Sequence, residues 1–299
     1  MTMTSRALRA LAMQEDLNFL LTNRIPRIAA TRLMGRFSRI RSPLLCSASI
    51  AVWRLFTDLD LDEAVPQRYE SLQQCFTRAL RPGARTVCDD PAVLASPCDG
   101  IVGEHGRIVR GRVYQAKGFP YSIAELLGPD VDASRFEGGV FVTLRLTSAM
   151  YHRFHAPHDC TVERVTHLNG DTWNVNPIAL RRVERLFCRN ERAAIELRLA
   201  HGGHRVALVP IAAILVASIR LHFADLHLHV DYDGPASVAC DARLRKGEEM
   251  GWFEHGSTIV AFAPPGFEPC EGVETGRRIR MGEPLMRCPG GDDATPHGR

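Results

Sequence analysis

The hydrophobic positions change their period partway along the chain. From residue 15 to 66 they recur at helical spacing: Leu17, Phe19, Leu20 and Leu21 behind a candidate cap at Asp16, then Ile28, Leu33, Met34, Phe37 and Ile40, then an apolar stretch from Pro43 to Phe56 that includes Trp53. Pro26 and Pro43 punctuate these helices, and the acidic run Asp58 to Glu63 closes the region. Beyond it the pattern shortens to that of strands. Ile101, Val102, Ile108, Val109 and Val113 alternate with glycines and charges between Gly100 and Tyr114. Val140 to Leu146, Arg205 to Ile211 and Ile214 to Ile219 read as buried or half-buried strands. Ser122 opens a Ser-x-x-Glu capping box with Glu125, which predicts a short helix over Ser122 to Leu127. No internal repeat of fixed period is present. The expected class is α+β: N-terminal amphipathic helices over 1–66, a β-rich core over 67–288 and a Gly/Pro/charge-rich tail, expected to be disordered, over 289–299.

Composition narrows the function classes. The 299 residues are 45% hydrophobic and 24% charged, enough apolar material for a packed core. A net charge of +3 gives no nucleic-acid signature. The basic residues are almost all arginine: Lys117 and Lys246 are the two lysines, so a lysine-anchored pyridoxal phosphate would have two candidate sites in the whole chain. The nine cysteines are odd in number, scattered and never spaced Cys-x-x-Cys, which argues for reduced thiols over a disulfide framework or zinc ribbon. No apolar run approaches a membrane span, and Met1 to Gln14 lacks the apolar stretch of a secretory signal. One charge asymmetry stands out. Arg24, Arg27, Arg32, Arg36, Arg39, Arg41 and Arg54 fall in a segment without a single Asp or Glu. A basic amphipathic helix of this kind suits an anionic membrane surface; the alternative is a helix packed on the protein's own core with solvated arginines.

Four segments carry candidate chemistry. Ser96-Pro-Cys-Asp-Gly100 places Asp99 in a turn before a strand, Tyr151 to Pro157 holds His152 and His155 three apart, and Gln115 to Gly128 precedes them. The fourth, Lys246 to Thr258, ends in Gly256-Ser257-Thr258. A serine needs a base to take its proton, and that base works best when a carboxylate orients it. Asp225, His227, His229 and Asp231 alternate along another stretch, so one strand face would carry four possible metal ligands; a solvated face of an amphipathic strand is the plainer reading.

In this order these segments resemble the prokaryotic phosphatidylserine decarboxylases. The similarity also takes in Phe76 to Arg85, Val175-Asn-Pro177, Leu186 to Arg192 and the N-terminal Leu17-Asn-Phe-Leu-Leu21, so it covers most of the chain. The resemblance implies a proenzyme that cuts itself between Gly256 and Ser257. Asp99, His155 and Ser257 would form the processing triad, and Ser257 would become a covalent pyruvoyl cofactor and the Schiff-base site for the substrate amine. His152 would act as general acid, and no metal is implied. The products would be a β chain of residues 1–256 and an α chain of residues 257–299, both contributing to one catalytic core. The implied activity is that of a carboxy-lyase converting phosphatidylserine to phosphatidylethanolamine in phospholipid biosynthesis. The enzyme would be a homodimer bound peripherally to the cytoplasmic side of the cell membrane through residues 1–66. Two positions depart from the family pattern: His255 stands before the cleavage glycine in place of an aliphatic residue, and Met150 precedes the Tyr-His pair where some members carry Asp.

Three other readings compete. A serine hydrolase would use the same Asp99, His155 and Ser257 on external esters, although the Gly-x-Ser-x-Gly elbow is absent. A metal-binding protein would rest on the Asp225 to Asp231 strand. A non-enzymatic, arginine-rich membrane adaptor would explain residues 24–54 but leave the histidine and serine segments idle.

Overall fold

The computed structural model describes residues 14–116, 119–215, 218–254 and 257–289; Lys117, His255, Gly256, residues 1–13 and tail residues 290–299 lie outside that set. Three helices open the described chain: α1 (Glu15–Asn23), α2 (Arg27–Ser38) and α3 (Pro43–Phe56). The α1 cap is Gln14, whose side chain accepts from the Leu17 N–H, and not Asp16, which lies in the first turn. Ser42 caps α3 with Pro43 as its first residue, where a missing N–H costs nothing. A short α4 (Leu72–Phe76) follows behind a Ser71 cap.

The remaining elements in chain order are β1 (Val93–Ala95), β2 (Gly100–Arg107), β3 (Arg112–Ala116), β4 (Phe119–Ser122), α5 (Ile123–Leu127), β5 (Val140–Arg145), β6 (Arg153–His155) and β7 (Cys160–Leu168). Then come α6 (Pro177–Leu180), α7 (Leu186–Arg189), β8 (Arg192–Leu199), β9 (Arg205–Ile211), β10 (Ser218–Leu221), β11 (Leu226–His229) and β12 (Ser237–Leu244). The chain closes with β13 (Glu249–Phe253), β14 (Thr258–Ala263), β15 (Glu268–Pro269), β16 (Arg278–Ile279) and β17 (Pro284–Arg287). The α+β class therefore holds, with helices first and a strand-rich core after them.

The core is an eight-stranded antiparallel sheet in the order β12-β7-β8-β9-β14-β5-β2-β16. Alternation along β14 shows how the sheet is used. Ile259, Ala261 and Ala263 join Val140, Val142 and Leu144 in one apolar core, while Val260 and Phe262 join Phe141, Val209 and Ile211 in another. The first face is covered by a four-stranded sheet, β11-β10-β13-β6, through Ile219, Leu221, Phe253 and Phe154. The second is covered by the β3–β4 hairpin and α5 to α7, through Val113, Tyr121, Leu126, Leu180 and Phe187.

The helix at Ser122 to Leu127 forms as expected, with the Ser122 hydroxyl accepting from the Glu125 N–H at 3.4 Å. The strand expected over Ile214 to Ile219 forms only in part: Ser218 and Ile219 lie in β10, Ile214 and Leu215 lie in a turn, and residues 216–217 are outside the described set. Leu215 takes φ +69 and gives its N–H to Thr31 of α2 at 3.0 Å, so a donor that a ladder would need is used by a helix; β10 starts only at Ser218. Likewise the alternation from Gly100 to Tyr114 breaks at Arg110 (φ 54) and Gly111 (φ 63), a turn that separates β2 from β3.

The acids missing from residues 24–54 come from the core. Arg27 pairs with Asp171 at 2.5 Å, Arg32 with Asp231, and Arg39 with Glu254 at 2.8 Å. Arg27 also lies 3.7 Å over the Trp173 ring. The apolar side of these helices has no such cover: Leu33 is 69% exposed, Leu44 83% and Val52 55%. Among the described residues, no helix is long and apolar enough to cross a membrane.

Gly251 is where the smaller sheet tolerates no side chain, since a Cβ there would fall 1.9 Å from the Arg220 carbonyl oxygen of β10. Gly251→Ala is expected to cost about 2–3 kcal/mol, because backbone on backbone cannot yield as a flexible side chain does; urea unfolding of the purified variant would read it.

Candidate active site

Three adjacent strands bring the chemistry to one end of the large sheet. Ile101 of β2 pairs with Arg145 of β5, and Arg145 pairs with Thr258 of β14. Asp99 stands two residues before Ile101, and Ser257 immediately before Thr258. Gly100 makes the approach possible, as a Cβ there would meet Leu144 Cβ at 3.4 Å and the Arg145 carbonyl at 3.5 Å. The Leu146 N–H donates to the Ser257 carbonyl at 2.8 Å, extending the β5–β14 ladder to Ser257. β6 is fixed to the same turn by the His155 N–H, which donates to the Pro97 carbonyl at 2.7 Å.

Ser257 is fully buried, and among the described residues its hydroxyl has no hydrogen-bond partner. The neighbouring Thr258 hydroxyl and both ring nitrogens of His152 share this condition. Buried polar atoms are normally satisfied, so two consecutive orphans at Ser257 and Thr258 mark a site and not a packing residue. The segment just upstream is held firmly. Glu254, 5% exposed, receives Arg39 of α2's C-terminal end at 2.8 Å and the Gln73 amide of α4 at 2.6 Å. The chain thus passes from β13 of the small sheet to β14 of the large one through residues 254–257.

Asp99 is held by Arg85. The guanidinium donates to both carboxylate oxygens, at 2.8 and 2.5 Å, and the Met281 N–H adds a third bond at 2.9 Å. His155 is held elsewhere. Its Nδ1 lies 2.9 Å from the Gly247 carbonyl, so Nδ1 carries the proton and donates it there, which leaves the lone pair on Nε2 to accept from the Tyr151 hydroxyl at 3.0 Å. The structure therefore gathers Asp99, His155 and Ser257 onto neighbouring strands but does not join them by hydrogen bonds. Burial pushes the His155 pKa down, against the Gly247 carbonyl and the nearby charges of Glu249 and Asp99. Burial also pushes the Tyr151 phenol up.

His152 sits in a different setting. Phe76 of α4 meets its ring edge-on at 5.9 Å, and Trp53 of α3 lies 4.1 Å from Phe76. Burial, and secondarily the Arg78 guanidinium, lowers the His152 pKa to about 3. Arg78 is itself spent on the carbonyls of Cys75, Ala149 and Met150. Two helices of the N-terminal region thus form the wall behind His152.

The strand of alternating acids and histidines makes no metal site: among the described residues no three His, Cys, Asp or Glu side chains converge. Arg220 takes Asp225, Ser218 takes His227 at 2.8 Å, and Arg32 takes Asp231. Lys246 gives its amine to the carbonyls of Asp90 and Val93, at 2.8 and 2.7 Å, and so serves a structural role.

The phosphatidylserine decarboxylase family profile matches residues 72–287. The chain belongs to this family. It is 38% identical over 272 residues to a phosphatidylserine decarboxylase proenzyme of Bordetella pertussis, covering 87% of this chain and 90% of the relative. A proenzyme of Shewanella frigidimarina is 35% identical over 275 residues, with 88% and 95% covered, and one of Shewanella loihica 37% identical over 279, with 88% and 96% covered. The chain is accordingly an enzyme of the carboxy-lyase class.

As a phosphatidylserine decarboxylase it shows supporting residues that sequence reasoning did not assign. Arg85 closes the Phe76 to Arg85 segment without any local sign of its carboxylate partner fourteen residues on. Tyr151 was visible only as the neighbour of His152. Gly247 takes φ +81, and a Cβ there would strike Val87 at 2.7 Å; the Lys-Gly pair was the available signal. At the Met150 departure the thioether sulfur faces the Thr147 N–H at 3.5 Å.

Two outcomes follow for this decarboxylase. Asp99→Asn should destabilise the fold by about 2–3 kcal/mol, because Arg85, whose side chain is 7% exposed, loses its bidentate partner and keeps only Glu63 at 2.8 Å and the Ala84 carbonyl at 2.7 Å; denaturant titration measures it. His152, held neutral in the folded state, binds no proton until pH approaches 3, whereas the unfolded side chain protonates below 6.5. Stability should therefore fall as pH drops through that window, and His152→Asn should flatten the fall in pH-dependent thermal melts.

Proposed function

We propose that this chain is a pyruvoyl-dependent phosphatidylserine decarboxylase that cuts itself between Gly256 and Ser257 and turns over lipid at a membrane surface. The observation that carries this reading is the Ser257 hydroxyl: fully buried and unpartnered at the point where the chain changes sheets. In the intact chain that atom is shut off from solvent, whereas the carbonyl of residue 256 is its covalent neighbour. That contrast favours self-processing over a serine hydrolase.

Asp99, His155 and Ser257 are read as the processing triad, each held apart from the others in the intact chain. Rotation of His155 away from Tyr151 frees the Nε2 lone pair to take the Ser257 proton. The Ser257 oxygen then bonds to the Gly256 carbonyl carbon as the peptide C–N bond breaks, giving an ester. Removal of the residue-257 α-proton expels the Gly256 carboxylate and leaves a dehydroalanine, and water replaces its nitrogen, which leaves as ammonia. Gly256 suits the attack because it lacks a Cβ.

The site fits the pyruvoyl group that results. The amide carbonyl of residue 257 is already pinned by the Leu146 N–H, and the Thr258 hydroxyl beside it lacks a partner. When formed, the group supplies an electron sink for loss of carboxylate from the substrate. His152 holds the proton for the substrate α-carbon. It is neutral in the apolar pocket behind Phe76, and an arriving carboxylate shifts its pKa upward by adding a negative neighbour.

The lipid supply is read from the helices. Ten of the fourteen exposed large hydrophobic side chains among the described residues lie between Leu20 and Phe56, on the side of α1 to α3 not tied to the core. Such a patch, rimmed by arginines, suits peripheral docking on an anionic bilayer.

Intact mass spectrometry of the expressed chain should show fragments of residues 1–256 and 257–299, the second 43 residues long with a blocked N-terminus, while Ser257→Ala stays whole. A wild-type chain that persists as one species would overturn the self-processing reading. Leu33→Asp with Leu44→Asp should cut co-sedimentation with phosphatidylserine-containing vesicles at least tenfold and leave self-cleavage intact; unchanged sedimentation would remove the docking role.

A further inference from the structure

The core holds four largely buried arginines, and three of them are accounted for. Arg78 is saturated by three backbone carbonyls and Arg85 by Asp99 and Glu63. Arg192 is saturated by the carbonyls of Leu126, Cys188, Asn190 and Glu125, at 2.6–2.9 Å. Arg145, at the C-terminal end of β5, is the exception. It is only part-exposed, burial alone pushes its pKa down, and among the described residues its guanidinium has neither a carboxylate nor a carbonyl partner. A guanidinium partly withdrawn from water, its nitrogens still reachable by solvent and without a carboxylate partner, is open to an incoming anion.

Its position says where that anion would come from. Arg145 is in register with Thr258, so the two side chains leave the same face of the sheet with Cβ atoms about 5 Å apart. Thr258 follows Ser257 directly, one Cα–Cα step of about 3.8 Å. The Thr258 hydroxyl is fully buried and unpartnered, and so is that of Thr143, two residues before Arg145 on the same face of β5. One cation and two free hydroxyl donors therefore line one strand face beside the reacting residue.

We propose that Arg145, with Thr258, binds the phosphodiester of the glycerophospholipid head group. The inference rests on the proposed function and deepens it by assigning the head-group contact. The substrate has two anions within reach, its carboxylate and its phosphodiester. Holding the carboxylate with a guanidinium would stabilise the charge that must disappear as CO₂ leaves, which raises the barrier. Holding the phosphodiester leaves the reaction centre untouched and orients it, and the fork geometry of arginine suits phosphate oxygens.

The test uses the self-processed enzyme and a short-chain phosphatidylethanolamine, which keeps the phosphodiester but has no carboxylate. Calorimetric titration should show binding at least tenfold weaker for Arg145→Gln than for wild type and three- to tenfold weaker for Arg145→Lys. With short-chain phosphatidylserine, KM should rise in parallel while kcat changes less than threefold. Unchanged affinity for the phosphatidylethanolamine would overturn the proposal, as would a loss confined to kcat, which would place Arg145 on the carboxylate. Failure of both variants to self-cleave would also overturn it, by placing the guanidinium at the Gly256 carbonyl or carboxylate. Failure of the wild type to self-cleave would instead defeat the proposed function itself.

Discussion

The double ladder of β14 is the constraint on which the rest of the structure depends. This strand pairs with β5 on one side and β9 on the other, and all six of its residues are buried. A strand so enclosed must be apolar on both faces, and Thr258-Ile-Val-Ala-Phe-Ala263 is, apart from the threonine that begins it. Its fixed register determines where Ser257 stands relative to Arg145 and the Asp99 turn. The same ladder separates the two cores, so the covering sheet and the covering helices are each placed by reference to it.

The N-terminal helices are tied to this frame at few but consequential points. Arg39 and Gln73 hold Glu254, while Trp53 and Phe76 back His152. The helices and the candidate site therefore share side-chain contacts, and a change in how the helices sit has a direct route to both flanks of the site. The arginines illustrate how one residue type divides its work. Arg27, Arg32 and Arg39 reach acids of the strand-rich part, while Ile28 and Leu33 on the same helix stay exposed, so the apolar stripe is not wholly used in packing.

Much of this was legible in the sequence because it is local. The Ser122 cap, the period of β5 and β9 and the change from helical to strand spacing near residue 66 each depend on neighbours along the chain. The choice of Asp99, His152, His155 and Ser257 came from motif order, and the structure places them on adjoining strands and turns. What was not legible depends on distant partners. No local signal shows that Asp231 will meet Arg32, that Arg85 rather than a histidine will take Asp99, or that Gly247 will offer its carbonyl to His155. The shortened strand after Ile214 shows the same limit: its apolar residues had the right period, but a hydroxyl from α2 took the donor that pairing needed.

The passage from β13 to β14 also bears on how the protein can be lost. As one chain, the molecule finds its central strand by closing a loop upon itself. Under the proposed cleavage at residue 256, the short piece would still carry the middle of the sheet as well as β15, β16 and β17, and so would stay clamped while folded. Were it to escape, recovery would become a bimolecular search for a partner with a gap in its core, slow at cellular concentrations and open to aggregation. A cut at this crossing would make folding a ratchet: a molecule assembled reversibly would then persist only for as long as it did not unfold.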